Sequence, residues 1–143
     1  MGGGQKDLLN NTSNDLIQEN KSDEKITHRY QNELTLEKRL SEFNRIRGKY
    51  PDRIPIIIEK SETNSNNMPD LDKHKFLVPS DISLAQFMYV LRQRIKLKSK
   101  VAIFLFINNK LISTSSLIGE IYNQNKHIDN FLYIKYAGEN TFG

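Results

Sequence analysis

Few residues in this chain of 143 have the type and spacing that enzyme chemistry needs. Cysteine is absent, which removes a disulfide scaffold, a thiolate zinc site and a cysteine nucleophile together. The three histidines, His28, His74 and His127, have no second ligand at helical or hairpin spacing. They read as solvated surface histidines rather than a metal centre. No acid–base pair or nucleophile constellation appears, so the chain reads as a non-enzyme with no cofactor. What remains is charge. Residues 1–35 carry a net −2 and residues 36–143 a net +6. An acidic segment on a basic body suits an acidic partner for the body. Nucleic acid, an anionic membrane surface and acidic peptides all satisfy that charge. The sequence lacks the glycine-rich phosphate loop and the aromatic stacking platform that would favour nucleic acid, so none is expected.

The apolar residues, 37% of the chain, are concentrated after Leu36. Residues 1–29 are rich in Gly, Asn, Ser and charge, have no apolar period, and read as a disordered extension. Met1-Gly2 opens like a myristoylation signal, but Lys6 stands where that motif takes Ser or Thr. The longest apolar run, Val101–Ile107, is seven residues, far too short to cross a bilayer. No apolar stretch near the start resembles a secretory signal.

The period then switches repeatedly between helix and strand. Tyr30–Leu34 suggests a short helix. Leu36, Leu40, Phe43 and Ile46 recur at helical spacing behind a Thr35 cap, with Glu37, Lys38, Arg39, Arg45 and Arg47 on the opposite face. Gly48 and Pro51 end that helix. Ile54–Glu59 is a β-branched strand whose Pro55 puts it at an edge or a strand start. Ser61–Asp72 is a loop, and Lys75–Pro79 returns as the second arm of a hairpin. Asp81 or Ser83 caps a helix carrying Leu84, Phe87, Met88, Leu91 and Ile95. Val101–Ile107 reads as a central strand covered on both faces. Asn108-Asn109 turns the chain into a brief return strand, Lys110–Ile112. Ser115 or Ser116 starts a short helix, and Phe131–Tyr136 is the last strand. Residues 137–143 read as a mobile tail. A hairpin, a crossover helix and two further strands make an α+β, ubiquitin-like β-grasp fold with helix added before the first strand. The domain spans 30–143.

The runs IRGKYPDRIPIIIEK, DLDKHKFLVPSDISLAQFMYVLRQRIKL, FLFINN and FLYIKY, with a terminal TFG, resemble the autophagy-related protein 8 family of ubiquitin-like modifiers. This is the family of the GABA type A receptor-associated protein and the microtubule-associated protein light chains. The resemblance covers residues 30–143. The chain departs from the family pattern at Leu34-Thr35-Leu36, Gly48, Ile112-Ser113 and Asn130.

The resemblance implies a modifier. The family's C-terminal glycine, here Gly143, is passed as a thioester between an activating and a conjugating enzyme and joined by an amide to phosphatidylethanolamine. A deconjugating cysteine protease acts at the same glycine. A residue without a Cβ leaves that carboxyl open to close attack, and two acyl chains anchor stably. The implied location is the cytoplasm, the autophagosome membrane and cytoplasmic vesicles. The resemblance also implies docking of cargo receptors through an aromatic–x–x–aliphatic peptide added to a sheet edge, here Lys75–Pro79. The aromatic pocket falls on Glu42, Ile46, Pro55, Lys75, Leu77 and Phe131. The aliphatic pocket falls on Phe76, Val78, Pro79, Ile82, Phe87, Val90, Leu91 and Arg94. Lys49, Arg53 and Lys73, with Lys75, are placed to attract acidic residues beside the motif. Taken alone, Val78, Phe87, Val90 and Leu91 read more readily as core than as a pocket, and Lys73 and Lys75 could be an ordinary solvated edge. The alternative function is a non-conjugated adaptor of the same fold that binds peptides, or tubulin through its basic N-terminal helix.

Overall fold

The computed structural model describes residues 28–62, 68–97 and 101–138. Residues 1–27, Gly143 and the rest of the terminal segment beyond Gly138 lie outside them, as does part of the loop over 61–72. The elements are α1 (Arg29–Glu33), α2 (Leu36–Lys49), β1 (Arg53–Lys60), β2 (Lys75–Pro79), α3 (Leu84–Ile95), β3 (Phe104–Ile107), β4 (Lys110–Leu111), α4 (Ile118–Asn125) and β5 (Leu132–Ala137). The strands form one sheet in the order β2-β1-β5-β3-β4. β1 and β5 run parallel, and the other neighbours are antiparallel. This is the expected β-grasp.

β1 shows why its sequence is an unbroken apolar run. Successive side chains point to opposite faces of a sheet. Ile54, Ile56 and Ile58 join the large cluster formed with Leu84, Phe87, Leu91 and Ile95 of α3. Ile57 joins a smaller cluster on the other face with Phe43 and Ile46 of α2 and Phe131. Both faces are therefore covered, so no position is left for a polar residue until Glu59. Pro55 is the third residue of this interior strand, not an edge residue. Ile58 donates to the His74 carbonyl, so the alternation turns Ile54 and Ile56 toward β2 and Pro55 away from it. Pairing with β5 begins only at Ile56, so the missing proline N–H falls just short of that ladder.

The helix caps follow their sequence signals in two cases. Thr35 Oγ1 accepts the Lys38 N–H at 3.2 Å, and Ser83 Oγ accepts that of Gln86 at 3.2 Å while the Gln86 side chain returns to Ser83 N at 2.8 Å. The third differs. α4 begins at Ile118, not at Ser115 or Ser116. The carbonyls of Thr114 and Ser116 are committed to the first turn of α3, accepting from Ala85 at 3.0 Å and Leu84 at 2.9 Å. In return, Ile118 and Gly119 at the start of α4 donate to the carbonyls of Ile82 and Ser80, each at 2.9 Å. Each helix thus has its open N–H groups satisfied by the segment leading into the other. A Cβ on Gly119 would stand 3.1 Å from the Ser80 carbonyl oxygen, which is why glycine fits there.

Two further expectations change and one holds. The strand read as Val101–Ile107 begins at Phe104, because its neighbour β5 ends at Ala137, the partner of Phe104. Ala137 is fully buried in that pair and belongs to the sheet, not to a tail. Asn108 and Asn109 do form the tight turn, both with positive φ of 51° and 65°, as a two-residue hairpin loop requires.

The largest departure lies under α1 and α2. Leu36 is exposed, whereas Arg39, read as solvent-facing, is buried. Its guanidinium meets the fully buried Asp129 at 2.6 Å. The Tyr133 hydroxyl donates to the same carboxylate oxygen, and the Phe131 N–H donates to the other at 2.9 Å. Burial pushes the Asp129 carboxyl up, but the neighbouring His127 and the hydrogen bonds from Tyr133 and Phe131 outweigh it and hold the pKa below the usual range. His28, read as solvated, is also buried, with Nε2 2.9 Å from the Ile134 carbonyl. His127 is half-buried with Nδ1 3.5 Å from Asp129, and His74 Nδ1 lies 3.0 Å from the Ile58 carbonyl.

Removing one partner of a buried ion pair strands the other. Asp129→Ala is expected to lower stability by about 3 kcal/mol in urea unfolding. A loss below about 1 kcal/mol would mean that the pair behaves as a solvated one.

Candidate functional site

Among the described residues, β2 ends the sheet and has β1 as its only strand neighbour. The register pairs Val78 with Ile54 and Phe76 with Ile56, and the Ile58–His74 bond sets which residues face inward. Val78 and Phe76 therefore spend their backbone groups on β1. Lys75 and Leu77 turn theirs outward, an open edge that another extended chain can pair with. The Leu77 carbonyl already accepts from the Arg53 guanidinium at 3.3 Å.

Side chains of β2 divide between the two faces. Lys75 and Leu77 point to the α1–α2 side. There the structure brings together the whole expected aromatic-pocket set. Ile46 and Phe131 are buried in the smaller cluster, Leu77 packs against it, and Pro55 pairs with Leu77 in the sheet. Glu42 reaches Lys75 Nζ at 3.0 Å. The same carboxylate accepts from Arg45 at 2.7 and 3.0 Å. The Arg45 hydrogen bond, followed by Lys75, draws the Glu42 pKa down to about 2 despite some burial. Glu42 is thus a permanent anion over any ordinary pH range, and it restrains Lys75.

A groove of about 660 Å³ opens beside this cluster, lined by Arg29, Tyr30, Glu33, Ile57, Glu59, Lys73, His74, Lys75 and Leu77. Its wall from α1 is what the sequence reading missed. Tyr30 packs its ring edge-on against Phe131 at 5.2 Å, and the Lys75 ammonium sits 5.2 Å from the Tyr30 ring centroid. The only sequence signal was a weak short-helix pattern over Tyr30–Leu34. Nothing local could tell that it seats on a strand about a hundred residues further on. Of the expected acidic-flank cations, Lys73 lines this groove, with Nζ also 5.2 Å from the Phe76 ring. Lys49 is exposed at the last turn of α2, and Arg53 is occupied by the Leu77 carbonyl.

The expected aliphatic set lies on the opposite face, between β2 and α3. Phe76, Val78, Phe87 and Leu91 are 7%, 4%, 1% and 0% exposed and belong to the main core. Phe76 and Phe87 meet edge-to-face at 5.7 Å. Ile82 packs partly buried against them, Pro79 is half-buried, and Val90 is exposed. Arg94 pairs with Asp72 at 3.1 Å. The set is contiguous, but four of its eight members are a filled floor, and only the rim is open to contact. No group of metal-binding side chains occurs among the described residues.

Comparison with known proteins agrees with this architecture. A family model described as "Autophagy protein Atg8 ubiquitin like" matches residues 38–143. Autophagy-related protein 8B of Oryza sativa subsp. japonica is 55% identical over 109 residues, covering 76% of this chain and 90% of that one. Autophagy-related protein 8a of Arabidopsis thaliana is 54% identical over 108 residues, covering 76% and 87%. The crystal structure of Trypanosoma brucei ATG8 superposes with a TM-score of 0.74 at 43% identity, covering 82% of this chain and 99% of that one. With a ubiquitin-like sheet, helices added before its first strand, and these relatives, the chain belongs to the Atg8 family of ubiquitin-like autophagy proteins.

Proposed function

We propose that this protein is a membrane-conjugated modifier that recruits peptide-bearing partners. In this reading the Gly143 carboxyl is activated as a thioester by the autophagy activating enzyme and passed to the conjugating enzyme. The amine of phosphatidylethanolamine then displaces the thiolate to form an amide. The deconjugating protease reverses the linkage. The protein moves between the cytoplasm and the autophagosome membrane, and cargo receptors dock on β2.

One observation supports the docking half most directly. Lys75 and Leu77 turn their backbone groups away from β1 on an edge strand, where the Leu77 carbonyl meets the Arg53 side chain rather than another strand, and an apolar, cation-bearing groove lies beside them. Main-chain pairing supplies part of the affinity and the groove reads an aromatic side chain. Lys73 and Lys75 attract acids beside the motif by steering rather than strong bonding. The exposed basic residues of α2, Lys38, Arg45, Arg47 and Lys49, favour a second reading, a non-conjugated adaptor that grips an acidic partner such as tubulin.

Gly143→Ala is expected to leave the protein diffuse in starved cells and without a phospholipid on its C-terminus by mass spectrometry. Membrane puncta and a lipidated species in that variant would refute conjugation. Membrane association without the activating enzyme would favour the adaptor.

Leu77→Glu is expected to weaken binding of an acidic aromatic–x–x–aliphatic peptide at least ~10-fold in calorimetry, from a starting affinity near micromolar, about −8 kcal/mol. Leu77 is the better probe than Phe76, because Phe76 is core and its loss would also destabilise the fold. Unchanged affinity would misplace the docking strand.

A further inference from the structure

α1 is five residues long and has no buried residue of its own. Its seat depends on two side chains, His28 just before it and Tyr30 within it. Both bury a polar atom that finds no partner among the described residues, Nδ1 of His28 and the hydroxyl of Tyr30. Only Nε2 of His28 is satisfied, by the Ile134 carbonyl at 2.9 Å. A carbonyl can only accept, so Nε2 carries the proton and Nδ1 is a bare lone pair.

We propose that α1 is a proton-released latch: protonation of buried His28 lifts α1 from the β1–β5 face and removes one wall of the groove beside β2.

A second proton must go onto Nδ1, where no acceptor waits and water does not reach. The imidazolium would be buried without a hydrogen-bonded counter-ion. Its surroundings come from several elements. From β5, Lys135 opposes the charge and the Tyr133 ring lies at 4.9 Å. From β1, Glu59 favours it, but that carboxylate already holds the Arg29 N–H at 2.9 Å and Lys135 at 3.4 Å. From the turn before β5, His127 opposes it and lies against the other side of this environment, 5.4 Å from the Tyr133 ring. Arg29, next in the chain, is paired with Glu33. Burial is the largest influence, and the His28 pKa falls from 6.5 to about 4.

The sign follows. The docked helix favours neutral imidazole, whereas the released one titrates normally. Docking is therefore fully stabilised above pH 6.5 and weakens as pH falls from there toward 4. Between pH 7.4 and pH 5.0 the docking equilibrium should fall roughly 25-fold. Glu42, with its pKa near 2, stays ionised throughout that window and cannot cause the change.

The consequence for the groove rests on the docking reading given above. Release carries away Arg29, Tyr30 and Glu33 and uncovers Phe131 and Tyr133, which α1 now screens.

The test uses the full-length protein without ligand. Hydrogen exchange of the Asn32 and Leu34 amides, which close α1, is compared with intrinsic rates at each pH. Their protection should drop roughly 25-fold from pH 7.4 to 5.0, while that of Ile58 in β1 holds. His28→Phe keeps a ring against Tyr133 but cannot take a proton, so its α1 protection should not change with pH. Imidazole titration of the unaltered protein by NMR should give His28 a pKa well below 6. A pH-independent α1, an ordinary His28 titration, or the same drop in His28→Phe would overturn the latch. A separate arm measures a Trp-x-x-Leu peptide with uncharged flanks. Its Kd should rise several-fold at pH 5.0 in the unaltered protein and stay flat in His28→Phe. If the peptide fails to bind even at pH 7.4 while α1 still loosens with acid, the docking reading falls and the latch is upheld.

Discussion

Asp129 has no exposed surface, and its carboxylate gathers side chains and backbone from α2, β5 and the segment before β5. Arg39 comes to it from α2, Tyr133 from β5 and the Phe131 amide from the chain just before that strand. A bare carboxylate in such a place would be far too costly, and each donor offsets part of that cost. The arrangement fixes the angle of α2 across the sheet. It thereby fixes where Phe43 and Ile46 meet Phe131 and where Glu42 can reach Lys75. The groove geometry is a consequence of where one buried anion had to find its partners.

The two faces of the sheet serve different ends. The α3–α4 face is a conventional apolar core that includes Phe76, Val78, Phe87 and Leu91, all buried. The α1–α2 face holds a small apolar cluster ringed by charge: Glu42 between Arg45 and Lys75, Glu59 between Lys135 and the amide of Arg29. A strand added to β2 would extend both faces at once, one side chain toward the charged side and the next toward the rim of the core.

Legibility in the sequence followed the distance between interacting residues. Elements set by neighbours three or four positions apart were readable: the Thr35 and Ser83 caps, the apolar run of β1, the Asn108-Asn109 turn. What was hidden depended on partners far along the chain. Arg39 looked like one more solvated cation until Asp129, ninety residues on, gave it a reason to be buried. His28 looked solvated because nothing nearby marks it as the partner of Ile134. Ser115 and Ser116 looked like caps for the helix after them, yet backbone at Thr114 and Ser116 caps the helix before. At the candidate site the strand Lys75–Pro79 was legible from its pattern, whereas its role as the docking edge and the pocket sets came from family resemblance. The α1 wall was legible from neither.

The strand order has one more consequence, and it concerns folding. β5 sits in the middle of the sheet between β1 and β3, yet it is the last strand of the described chain. Until β5 is available, the β1–β2 hairpin and the β3–β4 hairpin have no strand between them to pair with. Each waits with an unpaired inner margin, a state prone to wrong associations. Closure requires β5 to enter between them, and Asp129, just before β5, brings the partner of Arg39 with it. Such long-range pairing slows folding, so closing the sheet is expected to be a late step that waits on β5.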